Sequence, residues 1–137
     1  MQVEGSCHCG KVAFSAAVDP ARVSICHCTD CQALTGSPYR TSVPVEEGTF
    51  KLLSGKPRIY VKKTAESGVE RAHGFCGDCG SPVFAKAVDG ERAYMLRVGN
   101  VKQRAQLAPR RQIWCRSALP WSADIGGLPK IEKQPKP

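Results

Sequence analysis

Apolar residues alternate with polar ones in short bursts along this chain, and turn residues bound each burst. Val12, Phe14, Ala16 and Val18 fall on one face of a strand over 11–18. The alternation resumes in Arg22-Val23-Ser24-Ile25, and Asp19-Pro20 lies between the two runs. The opening therefore predicts a hairpin with cysteines on both arms. Further strands are predicted over 39–43, 49–53, 58–62, 82–86, 92–98 and 111–115, punctuated by Glu47-Gly48, Ser54-Gly55 and Ser67-Gly68. Gln32-Ala33-Leu34-Thr35 predicts one helical turn, stopped by Gly36-Ser37-Pro38. Short strands at this spacing predict an all-β fold and not an alternating βαβ one. The last residues, 129–137, are rich in proline and charge and hold one aliphatic side chain, Ile131. They predict a flexible basic tail after a single domain over 1–128.

Composition narrows the class. A chain of 137 residues with 42% hydrophobic and 23% charged content fits one globular domain with a real core. No apolar run approaches the ~18 residues of a membrane span. Met1-Gln2-Val3-Glu4-Gly5 has neither the basic nor the apolar region of a signal peptide, so a cytoplasmic location is expected. The net charge of +8 is diffuse, with seven basic residues in 38–72 and eight in 86–116. Such a field attracts anions in general. Aromatic content of 7% and the lack of a base-stacking motif argue against nucleic acid.

The eight cysteines carry the chemistry. Close C-x-C and C-x-x-C spacings suit metal ligands better than disulfides, which gain most by closing long loops. Cys7 and Cys9 form the first pair, and Gly5 and Gly10 flank it. Cys76-Gly77-Asp78-Cys79-Gly80 is a zinc knuckle in outline, a tight turn whose two thiolates converge. A thioredoxin-like redox pair has the same spacing but needs a βαβ setting. Cys26, Cys28 and Cys31 form a triplet. On a strand, Cys26 and Cys28 share a face with Cα atoms ~6.6 Å apart, and a turn at Thr29-Asp30 brings Cys31 round. Two sulfurs on one tetrahedral zinc lie ~3.8 Å apart, within reach of such side chains. Pooling the two pairs gives a closed four-thiolate site and leaves an open triplet, hence two zinc ions per chain. Spacing also permits other partitions, including a triplet completed by Cys115. His8 and His27 fall opposite the thiols and are expected to pack or support them. His73 is expected on the surface and Asp30 as an exposed turn carboxylate.

These motifs resemble the glutathione-dependent formaldehyde-activating enzyme family. The matching residues are Gly5-Ser6-Cys7-His8-Cys9-Gly10, Cys26-His27-Cys28-Thr29-Asp30-Cys31 with Thr35-Gly36-Ser37, and Phe75-Cys76-Gly77-Asp78-Cys79-Gly80. Ile113-Trp114, Leu119-Pro120-Trp121 and Gly127-Leu128-Pro129 extend the likeness to nearly the whole chain. The resemblance implies an Mss4-like all-β fold of short antiparallel strands with at most one or two helical turns. It implies a structural zinc on Cys7, Cys9, Cys76 and Cys79, and a second, catalytic zinc on Cys26, Cys28 and Cys31. The activity it implies is a carbon–sulfur lyase joining glutathione and formaldehyde to S-hydroxymethylglutathione. Two positions depart from the family's pattern: Gln112 stands where a histidine is frequent, and Cys115 where a small polar residue is common.

An open three-thiolate site suits a soft thiol as fourth ligand. The carboxylates of glutathione suit the positive field, and Arg110 and Arg111 are the candidates to meet one. The competing expectation is a zinc-stabilised module of the same fold that binds protein or nucleic acid without catalysis.

Overall fold

The computed structural model describes residues 1–137 and contains ten strands, one helix and four 3-10 turns. Strand β1 (Gln2–Ser6) pairs antiparallel with β2 (Ala13–Ala17), and β2 pairs antiparallel with β5 (Lys51–Ser54) in a three-stranded sheet. The other sheet has seven strands. Its order is β10 (Arg111–Ile113), β3 (Ser24–Cys26), β4 (Arg40–Pro44), β9 (Met95–Arg97), β8 (Pro82–Ala87), β7 (Arg71–Phe75) and β6 (Arg58–Lys62). All its pairings are antiparallel except β10 with β3. The all-β expectation holds, with this one parallel edge as an addition.

The alternation of β2 explains the core. Phe14 and Val18 are fully buried beside Val23, Val43, Val83, Leu96, Val101 and Leu107, which come from both sheets and their connections. Each such side chain contributes roughly 1.5–3 kcal/mol on burial. Phe50 stacks on Tyr94 with ring centroids 4.1 Å apart and closes one end of the core. Isolated bridges at Gly5–Val101 and Val18–Val45 stitch further segments onto the first sheet.

The predicted hairpin does not form. Strands β2 and β3 lie in different sheets. Between them Pro20–Arg22 makes a 3-10 turn, and the Asp19 carboxylate accepts from the Ala21 N–H at 2.9 Å. A capped turn of this kind redirects the chain from one sheet to the other. Two strands had no hydrophobic signature. The inward positions of β1 include Gly5, and those of β7 are Ala72 and Gly74, too small to register as apolar periodicity.

Those glycines are there for space. A Cβ on Gly5 would sit 2.1 Å from the Asn100 carbonyl oxygen and 2.6 Å from the Phe14 ring. One on Gly74 would lie 2.3 Å from the Phe84 ring. Overpacking against backbone has no cheap relaxation, so Gly5→Ala is expected to cost about 1–3 kcal/mol or more. A urea midpoint lowered with unchanged slope checks this.

Candidate metal centres

Two groups of sulfur atoms converge in this fold. Cys7 and Cys9, after β1, meet Cys76 and Cys79, after β7, and all four sulfurs lie within 4.8 Å of one another. The Cys7–Cys9 and Cys9–Cys76 separations are 3.6 and 3.7 Å. These match the ~3.8 Å expected between thiolates on one tetrahedral zinc, and all eight cysteines are free. Backbone turns support the cluster: the Val12 N–H donates to Cys7 Sγ at 3.3 Å, and Gly80 closes the knuckle with positive φ. Ser81 Oγ lies 3.3 Å from Cys79 Sγ and accepts from the His8 N–H. The Ser81 hydroxyl, then backbone N–H groups, hold Cys79 down to about 5. Cys7 and Cys76, at 2% and 1% exposure, belong to the hydrophobic core, so this centre and the core are one object.

The second group is Cys26, Cys28 and Cys31, again within 4.8 Å. Its construction differs from the expected strand and turn. Only Cys26 is on β3. Helix α1 (Thr29–Thr35) begins earlier than predicted, and Cys28 is its N-cap, with Sγ accepting from the Cys31 N–H at 3.3 Å. Gly36, left-handed at φ 62°, ends the helix. Cys115 is not a member. It is exposed, in the 3-10 turn Cys115–Ser117, so it neither closes the triplet nor lies buried in a strand.

Polar side chains gather around the triplet. His27 is inside; its Nε2 lies 2.7 Å from Gln112 Oε1, and Tyr39 packs edge-on against its ring. Gln112 lies opposite Ile25 on the parallel β10–β3 ladder. His27 lies just past the end of β3 and packs between Gln112 and Tyr39. Asp30 is not a free turn carboxylate: it pairs with Lys62 at 3.1 Å and accepts from Thr64 at 2.7 Å. Those contacts, Thr64 first, hold it below the ordinary carboxylate range.

His73 is not on the surface. It is partly buried on β7, with Nδ1 3.2 Å from Arg97 Nη2. A guanidinium only donates, so Nδ1 accepts and the imidazole is neutral. Burial, reinforced by Arg97 and Arg40, lowers His73 to about 3. The sign follows from proton counts. Between the unfolded value near ~6.5 and the folded one, the unfolded chain binds the extra proton, so stability falls as the pH drops. His73→Gln, which keeps an acceptor for Arg97, is expected to remove a slope of up to about 1.4 kcal/mol per pH unit. Urea titrations of both proteins from pH 6.5 downward measure the difference.

A cavity of about 440 Å³ opens beside Cys28, walled by Asp30, Lys62, Thr64, Glu66, Trp114 and Arg116 among others. Trp114 holds a left-handed backbone at φ 57°, rare for a bulky residue, and Arg116 lies over its ring at 5.0 Å. Arg116 also pairs with Glu66 across the cavity wall. Arg110 and Arg111 are exposed, the latter on β10, and neither lines this cavity. Sequence reasoning missed the cavity cations because Lys62 and Arg116 lie 54 residues apart in the chain and only the fold joins them.

The two thiol groups converge on an all-β frame, their cysteines following the chain order pair, triplet, knuckle. A family model described as "Glutathione-dependent formaldehyde-activating enzyme" matches residues 2–117. The chain belongs to this family. A protein of Schizosaccharomyces pombe described as an uncharacterized lyase is 26% identical over 95 residues, covering 69% of this chain and 65% of that protein. The chain's match thus falls short of two thirds of that relative's length. The crystal structure of a Rhodobacter sphaeroides protein superposes with a TM-score of 0.60 at 17% identity, over 80% of this chain and 98% of that one. That likeness speaks for the fold. For this member of the formaldehyde-activating family, both cysteine clusters can hold a metal ion. No helix is long and apolar enough to cross a membrane.

Proposed function

We propose that this chain is a zinc-dependent carbon–sulfur lyase that joins glutathione and formaldehyde to S-hydroxymethylglutathione, or performs the same addition on a related thiol. Family membership supports the reaction class. The observation that carries the reading is the contrast between a four-sulfur cluster and a three-sulfur cluster with no fourth protein donor among the neighbouring histidines, carboxylates and thiols. Closed sets of four build scaffolds, and sets of three leave a place for substrate. Cys7, Cys9, Cys76 and Cys79 would hold one zinc, and Cys26, Cys28 and Cys31 the other. At the triplet, zinc supplies a soft Lewis acid that favours a thiol in its deprotonated form.

The protein's own residues supply the rest. The cavity beside Cys28 receives the tripeptide, whose carboxylates would share Lys62 and Arg116 with their present partners Asp30 and Glu66. Arg110 and Arg111 remain outer candidates for the same charge. Trp114 gives an apolar wall that excludes water from one side of the reacting sulfur. The addition is redox-neutral. A sulfur lone pair forms the C–S bond, the carbonyl π pair moves to oxygen, and that oxygen takes a proton equivalent to the one the thiol lost. Holding both partners in one cavity replaces a bimolecular encounter with a local one.

The test is the rate at which glutathione and formaldehyde approach their adduct equilibrium, followed by proton NMR. Metal-loaded protein is expected to accelerate the approach at least about tenfold without moving the equilibrium ratio. A rate indistinguishable from that in buffer would refute the lyase reading.

A further inference from the structure

We infer that Arg40 and Arg97 form a buried pair of positive charges that sets the ligand preference of the cysteine triplet, admitting an anionic thiolate as fourth donor over a neutral one. The inference rests on the proposed lyase reading and specifies how the triplet selects its substrate.

Both arginines are inside the protein, at 5% and 8% exposure. Arginine is seldom buried unless paired, yet neither takes part in any of the six ion pairs. All three guanidinium nitrogens of Arg40, and Nε of Arg97, are sealed from solvent without a hydrogen-bond partner. Arg97 otherwise donates to the Ser42 hydroxyl at 3.0 Å and to neutral His73. No carboxylate answers either charge. A buried charge without a counter-charge is strongly unfavourable, so an anion must face this pair in the working protein.

The sheet register brings Cys26 of the triplet to this pair. Arg40 lies opposite Cys26 on the β3–β4 ladder, and Arg97 lies opposite Ser42 on the β4–β9 ladder. Residues 40 and 42 are two apart on β4, so Cys26, Arg40, Ser42 and Arg97 line one face of the sheet. Held on a metal ion as thiolates, the triplet that Cys26 brings to that face would be the anion that answers the pair.

Charge counting gives the specificity. Three thiolates and one divalent cation carry a single net negative charge, and a fourth thiolate makes two. Two fixed guanidiniums match the second state. With water or imidazole as fourth donor, one guanidinium stays unanswered in a low-dielectric setting.

The experiment uses full-length protein loaded with cobalt, whose spectrum reports the fourth donor. Glutathione and imidazole are titrated into the wild type, Arg40→Met and Arg40→Lys. For Arg40→Met, glutathione affinity is expected to fall at least about tenfold, while imidazole affinity stays equal or rises. Lysine restores most of the thiol preference. A merely structural arginine would weaken both ligands together and would not be rescued by lysine. Glutathione and imidazole affinities within twofold of wild type in Arg40→Met overturn the inference and leave the lyase reading standing. A wild type whose triplet takes no metal, or no glutathione, overturns the lyase reading and the inference with it. Retention of the metal on Cys7, Cys9, Cys76 and Cys79 reports folding. Should Arg40→Met lose it, Arg97→Met carries the same comparison with the same expected outcomes.

Discussion

Cys76→Ser is expected to leave no folded protein at 25 °C. Cys76 is 1% exposed, its sulfur lies 3.7 Å from that of Cys9, and it is counted among the sixteen residues of the core cluster. Removing its thiolate takes away both a donor and core packing. A structural zinc supplies ~10–16 kcal/mol of apparent binding free energy in small metal-stabilised domains. The whole stability of a domain this size is typically about 5–15 kcal/mol. Losing most of the first term therefore exceeds what the fold can absorb. Circular dichroism of the variant, with zinc content measured on the same sample, should show loss of strand signal. A variant that keeps the wild-type spectrum and melting temperature would show that the pair-plus-knuckle cluster is not structural.

Cys28→Ser should behave in the opposite way, keeping the fold and losing the chemistry. Cys28 caps α1 through its sulfur, and serine is itself a preferred N-cap, so the helix start survives. The triplet lies away from the sixteen-residue core cluster, which contains none of its sulfurs. Stability is expected to change by less than about 1 kcal/mol in the metal-free state. The triplet, left with two sulfurs, should lose its metal, and the acceleration of adduct formation should drop at least about a hundredfold. Elemental analysis and the NMR rate assay read these together. Equal unfolding of Cys28→Ser and Cys76→Ser would make both clusters structural.

How much of this was readable in advance depends on what each residue's neighbours in sequence reveal. The cysteine clusters were legible because their ligands are paired within two to five residues, and glycine marks the knuckle turn. Strands such as β6 were legible in their limits because alternation and turn residues agree. Strands β1 and β7 were silent, since a glycine or alanine facing inward looks the same as one in a loop. Asp19-Pro20 has the look of a hairpin turn in sequence, but the 3-10 turn that Asp19 caps passes the chain between sheets. The buried arginines were invisible for a different reason. Arg40 and Arg97 have the same sequence appearance as the solvated cations around them, and burial became apparent only when β4 and β9 were paired. His73 was misplaced on the same ground. Its neutral state depends on burial first and then on Arg97, which is 24 residues further along the chain.

The central claim is that the triplet keeps a place for a substrate sulfur. It is tested most directly by the visible spectrum of protein with cobalt at Cys26, Cys28 and Cys31 during titration with glutathione and, separately, with glutathione disulfide. The account predicts a saturable change in the cobalt bands with the thiol at moderate salt and none with the disulfide, because only the thiol can supply a soft anionic fourth donor. A spectrum indifferent to glutathione, together with nucleic-acid binding that weakens steeply as salt rises, would contradict it and would favour a basic binding module on the same fold.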